Sequence, residues 1–159
     1  MDVAALWGEA YQGEVLGEAF FQMLSERQTD PARRHELEVL AELERSTKLL
    51  AEPVFDRNGY DRGDSAETTQ TAADAVENAA MAPWEDNLRL IVVVAESFLP
   101  KYRELVELST DEQDRAVARS YVDHELALMS YARRALGEEQ GDPLEQVVAL
   151  PHVAPSLAG

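Results

Sequence analysis

Apolar residues recur along most of the chain at a period near 3.6, the spacing that turns one face of a helix toward a core. Val3, Trp7, Ala10 and Phe21 project in nearly one direction, which predicts a first helix from about Val3 to Arg27. It stops at the polar link QTD. A second helix restarts at Asp30, a natural N-cap, with Pro31 at the first helical position, where a missing amide hydrogen costs nothing. Leu37, Leu40, Leu43, Leu50 and Val54 carry it toward Pro53, where it is expected to end or bend. So short a link makes the two helices antiparallel neighbours.

Between Phe55 and Pro83 the pattern lapses into a stretch rich in Asp, Gly, Ser and Thr, with one short helix predicted near residues 67–81. Periodicity returns in a third long helix from about Trp84 to Leu108. A fourth is expected to start at a capping box, Ser109 with Glu112, and to run to about Leu136. The remainder, GDPLEQVVALPHVAPSLAG, reads as a short turn or helix followed by a loose tail. Residues 1–141 are therefore expected to form one domain and 142–159 an extension. The predicted class is all-α: two tight helical hairpins joined by a single long crossover between the second and third helices. That is the connectivity of a ferritin-like antiparallel four-helix bundle, whereas a simple up-down bundle needs only short links.

Composition narrows the chemistry. The chain of 159 residues has no cysteine, which excludes disulfides, iron–sulfur clusters and thiolate zinc sites and leaves oxygen and imidazole donors for any metal. Acidic residues outnumber basic ones 31 to 14, for a net charge of -17. This argues against nucleic acid or anionic lipid as partners and suits a cation, a basic partner or simple solubility. The longest apolar run, LIVVVA at 90–95, is far too short to span a bilayer, and no charged and apolar leader opens the chain. No membrane association is expected, and the cytoplasm is the default location. Neither a glycine-rich phosphate loop nor a serine elbow is present.

The stretch GEVLGEAFF, residues 13–21, sets the chemical question. Glu14 and Glu18 lie one turn apart on the same side as the first helix's apolar residues. A buried carboxylate needs a proton, a cationic partner, water or a metal. Counting outward from the interhelical links places Glu14 and Glu18 within a turn of Glu44, and Glu96 level with His124 and Glu125. Each long helix thus offers an acidic side chain near the middle of the bundle. A dinuclear carboxylate site there needs a Glu from each of two helices and Glu-x-x-His from each of the others. The second helix gives Glu44-x-x-Thr47 instead, and the fourth gives Tyr121-x-x-His124 or Glu125-x-x-Leu128. Glu96 lies off the centre of its helix's apolar arc, and a bend at Pro100 is what would turn it inward. His35 and His152, near a helix start and in the tail, read as incidental.

The segments EVLGEAFF, LERST and HELALMSYARRALGEEQG, with the long crossover between them, resemble the ferritin-like superfamily, nearer its small rubrerythrin-type bundles than its storage cages. The resemblance covers about residues 3–141. It implies a four-helix bundle and, in active members, a di-iron or di-manganese centre acting with oxygen or peroxide, here with a small-molecule substrate as a further partner. The expected divalent-metal ligands are Glu18, Glu44, Glu96 and Glu125, with Glu14 and His124 in reserve. The alternative is a metal-free bundle of the same ancestry acting as a binding or homo-oligomeric assembly protein. Hydroxyl bonds from Tyr11, Tyr102, Tyr121 or Tyr131 would then satisfy the buried acids. An acidic decoy for basic nucleic-acid-binding proteins rests on charge alone.

Overall fold

The computed structural model describes residues 2–158, with the side chain of Ala158 outside that description. Every regular element among them is a helix: α1 Val3–Glu26, α2 Pro31–Asn58, α3 Ser65–Met81, α4 Trp84–Leu108, α5 Glu112–Ala135, and the short α6 Glu145–Val148 and α7 Ala154–Ala158. The all-α class expected from the apolar periodicity is observed. α1 packs on α2 and α4 on α5; α2 also meets α5 and α1 meets α4, which closes the four long helices around a shared interior. α3 lies along the outside of α1.

The helix ends follow the capping chemistry with one correction. The Asp30 side chain accepts from the amides of Ala32 and Arg33, as the sequence suggests. α5, however, is capped by Asp111, whose carboxylate accepts from Gln113 and Asp114 at 2.8 and 3.1 Å, and not by Ser109. Ser109 instead ends α4, and its carbonyl takes a bond from Arg115. Asp is as good a cap as Ser, and Asp111 stands next to the first helical residue.

Pro53 does not end α2, which runs five residues further to Asn58 before Gly59 closes it at φ 66°. The bond that Pro53 cannot donate would have gone to the carbonyl of Leu49. Both residues face outward, which leaves that carbonyl open to solvent. The crossover helix α3 is longer than expected, capped by Asp64 and held to α1 through Thr68, whose hydroxyl donates to Gln12 at 2.6 Å.

The segment after residue 141 is docked, not loose. α6 packs on α5 and α2, and Val147 and Val153 are fully buried in the apolar cluster built by Leu24, Leu40, Leu43 and Leu128. A second apolar cluster fills the other end with Trp7, Tyr11, Phe55, Tyr102 and Tyr121. Edge-to-face contacts join Trp7 to Tyr121 at 5.8 Å and Tyr102 to Tyr121 at 5.1 Å. Between the two clusters the interior is polar.

Candidate metal centre

Glu14 of α1, Glu44 of α2, and His124 and Glu125 of α5 meet in that intermediate layer, each less than 6 % exposed. Local sequence explains their inward aim. Glu14 follows Trp7, Ala10 and Tyr11 on one helical stripe, and Glu44 lies between the buried Leu43 and Thr47. His124 and Glu125 stand one turn on from Tyr121 and one turn before Leu128 and Met129. α4 reaches the layer with Phe98 and Tyr102 and contributes no carboxylate.

His124 is the hub. Its Nδ1 lies 3.1 Å from Glu14 Oε1 and 3.7 Å from Glu125 Oε1, and its Nε2 lies 3.3 Å from Glu44 Oε1. Despite these separations neither ring nitrogen forms an aligned hydrogen bond, and both carboxylate oxygens of Glu14 are likewise without one. Two donors bound to one ion at about 2.1 Å, with an angle of about 90–109° between them, lie about 3.0–3.4 Å apart. The His124 separations from Glu14 and Glu44 fall in that range. Glu14 and Glu125 both lie on the Nδ1 side of the ring, and all three residues have ligand atoms within 4.8 Å of one another. Glu44 lies nearest the other ring nitrogen, Nε2, and adds its charge beside Glu14. The residues present therefore fit a divalent ion.

The electrostatics follow from what is missing around the cluster. Among the described residues no lysine or arginine comes within 4 Å of Glu14, Glu44 or Glu125. Burial, with the neighbouring Glu44 adding to it, holds the Glu14 carboxyl well above the usual range. Burial likewise pushes Glu125 up to about 8. For His124, burial opposes the charged form, but Glu14, Glu44 and Glu125 together outweigh it and raise the imidazole well above its ordinary value. The hydroxyls of Tyr102 and Tyr121 are pushed up by burial and by the Glu14 charge.

Two glycines make room. A β-carbon at Gly17 would lie 2.5 Å from the Glu44 carboxyl carbon, and one at Gly13 would lie 3.2 Å from the Tyr102 hydroxyl. Each costs helix stability, on the order of 1 kcal/mol relative to alanine, so their retention among the three glycines of α1 signals close approach. The stretch GEVLGE carries that signal beside its two glutamates.

The remaining expected ligands stand elsewhere. Glu18 is 28 % exposed and ion-paired with Lys48. Glu96 is 52 % exposed and accepts from Arg133 at 3.0 Å; Pro100 does not turn it inward. Of the tyrosines proposed as donors to the buried acids, Tyr11 donates to Glu52 and Tyr131 to Glu36, while the buried Tyr121 hydroxyl has no hydrogen-bond partner. His152, far away in sequence, is not incidental. Its Nε2 lies 2.9 Å from Oγ1 of Thr47, one turn beyond Glu44. Because the Thr47 hydroxyl hydrogen goes to the carbonyl of Leu43, Oγ1 accepts from His152, which fixes the hydrogen on Nε2. Burial, with the nearby His124, lowers this imidazole to about 4 and keeps it neutral. His35 lies outside the layer.

A cavity of about 210 Å³ runs from the surface to this layer. Apolar side chains of α1, α4 and α5 line it, among them Phe20, Val94, Phe98 and Leu128, and it reaches Glu44, Glu125 and Tyr102. No helix among the described residues is long and apolar enough to cross a membrane. No protein-family model, curated protein or solved structure matches the chain.

Proposed function

We propose that this chain is a metal-binding helical protein with ferritin-like connectivity, holding a divalent ion of iron or manganese through Glu14, His124 and Glu125, with Glu44 behind the imidazole. The single observation that carries the reading is the buried cluster of three carboxylates and one imidazole, with no lysine or arginine beside it among the described residues. Such a group is costly unless protons or a cation neutralise it. Carboxylate oxygens with one imidazole suit iron or manganese, hard ions that the absence of thiolates also favours. Ion pairs of Glu18 with Lys48 and Glu96 with Arg133 leave donors for one ion and not two. The long crossover, and the pairing of α1 with α2 and α4 with α5, support the ferritin-like assignment.

Bound there, iron or manganese would supply redox chemistry with oxygen or peroxide, and the protein would act as an oxidoreductase. The chain's own part is to exclude bulk water with the two apolar clusters, orient the His124 ring between Glu14 and Glu44, and keep Tyr121 beside the site. Elemental analysis of protein purified after growth in iron or in manganese tests the reading. Near one equivalent of metal in wild type, lost in Glu14→Gln and in His124→Ala, is expected. Metal-free protein whose melting temperature is the same in chelator and in added Mn²⁺ would defeat it.

A second reading, a metal-free binding or homo-oligomeric assembly protein, draws on one observation. Leu90, Val93 and Val94 form an exposed apolar row on α4, at 48, 62 and 40 % exposure. Sedimentation over a range of concentrations distinguishes it, since an assembly role requires self-association that does not depend on metal.

A further inference from the structure

We propose that the cavity leading to the carboxylate layer binds a small apolar molecule carrying no negative charge, with its polar end toward Glu44 and Glu125. The inference deepens the reading above, on which it rests for the identity of the groups at the inner end, by naming the class of molecule the site admits.

Size comes first. An apolar protein cavity of about 150 Å³ takes benzene, so about 210 Å³ suits a molecule of roughly ten non-hydrogen atoms. The wall chemistry comes next. Leu16, Phe20, Ile91, Val94, Phe98 and Leu128 offer no hydrogen bond from their side chains, which favours a hydrocarbon body. At the inner end stand two carboxyl groups, each about 5 % exposed, and the Tyr102 hydroxyl, with no lysine or arginine lining the space. An anionic head there would meet three carboxylates, whose charge outnumbers that of one divalent ion, with no lysine or arginine beside them, whereas a hydroxyl or carbonyl meets hydrogen-bonding groups.

The architecture is built to keep this space open. Gly13 and Gly17 lie on the α1 wall, and side chains at either position would press on Tyr102, Phe98 or Glu44. Leu90 and Val94, the exposed residues among those lining the cavity on α4, mark its mouth. Entry from water therefore passes apolar side chains before reaching any polar group.

Titration of the protein as purified with 1-octanol and with octanoate, followed by calorimetry, tests the proposal. Saturable 1-octanol binding at or below about 1 mM is expected, with octanoate at least about tenfold weaker. Val94→Trp, at the half-exposed mouth, should weaken 1-octanol binding about tenfold while leaving metal content and melting temperature unchanged. Val93→Trp, on the same helix but away from the cavity, should leave it as in wild type. Absence of saturable 1-octanol binding, octanoate binding equal to it, or unchanged affinity in Val94→Trp would overturn the proposal. Metal content of the same samples separates the two ideas: 1-octanol binding in protein that takes up no metal refutes the metal reading alone, and metal uptake without 1-octanol binding refutes this one alone.

Discussion

The Glu44 carboxylate lies directly against the α1 backbone at Gly17, where a β-carbon would stand 2.5 Å from its carboxyl carbon. Gly17→Ala should therefore re-aim Glu44, and through it the His124 ring whose Nε2 lies 3.3 Å away. Alanine is the better helix former by about 1 kcal/mol, so the fold should tolerate the change. Loss of a carboxylate that orients a ligating histidine commonly lowers metal affinity about 10–100-fold. A competition titration with a chromogenic chelator would read a loss of that order with circular dichroism unchanged; unaltered affinity would mean that Glu44 does not orient the imidazole.

Burying the Glu14 carboxyl costs stability. Its oxygens have no aligned hydrogen bond and its burial holds its proton well above the usual carboxylate range. Glu14→Gln keeps the shape and removes the charge. At pH 8 and without metal, the variant should be more stable than wild type by on the order of 1–2 kcal/mol, and it should lose metal binding. Urea denaturation of both proteins in chelator measures this. A less stable variant would instead identify Glu14 as a satisfied structural acid.

The same groups set a pH dependence. Glu125 titrates at about 8 when folded against an ordinary 4.5, and Glu14 and His124 are also raised. Between those values the folded protein holds more protons than the unfolded chain, so stability without metal falls as pH rises from about 5 to about 8.5. His152, lowered to about 4, acts in the opposite sense and adds stability between about 4 and 6.5. A metal bound by the proposed ligands would compete with protons for them, so its stabilising effect should grow over the range in which the metal-free protein weakens. Thermal melts in chelator and in saturating Mn²⁺ at pH 5.5, 7 and 8.5 would show the two curves diverging.

How much of this was legible in the sequence depends on which distances a residue's role requires. Helix existence needs only periodicity and caps, and α1, α2, α4 and α5 appear within a few residues of their expected bounds. Glu125 and His124 were visible too, since both sit on or beside the stripe of Tyr121 and Leu128. Choosing between Glu14 and Glu18 was harder. They differ by about 40° around the helix, and which one is covered depends on where Lys48 of α2 falls, a matter of interhelical register. Glu96 failed for a related reason: its place off the apolar arc was readable, but Arg133, its partner across the helix pair, was not. His152 carries no local signal at all, because only the docking of Val147 and Val153 brings it to Thr47.

Val147 and Val153 are both fully buried against the same apolar cluster as Leu40 and Leu43 of α2, next to Glu44 in the chain. The turn at residues 151–153 holds His152 on Thr47, and Ser156, beyond it, approaches Ser46 at 3.4 Å. The segment is thus fastened to the side of α2 that carries Glu44. Val153→Ala should cost about 1–3 kcal/mol through the cavity it leaves. His152→Ala removes one hydrogen bond, at a cost of about 1 kcal/mol, but leaves the valines in place. If the segment serves only stability, metal affinity should be equal in the two variants and in wild type once each is measured below its melting range. If it also steadies α2 at Glu44, His152→Ala should release metal faster than wild type. Stopped-flow transfer of bound metal to excess chelator reads that rate, and equal rates in all three proteins would confine the segment to a packing role.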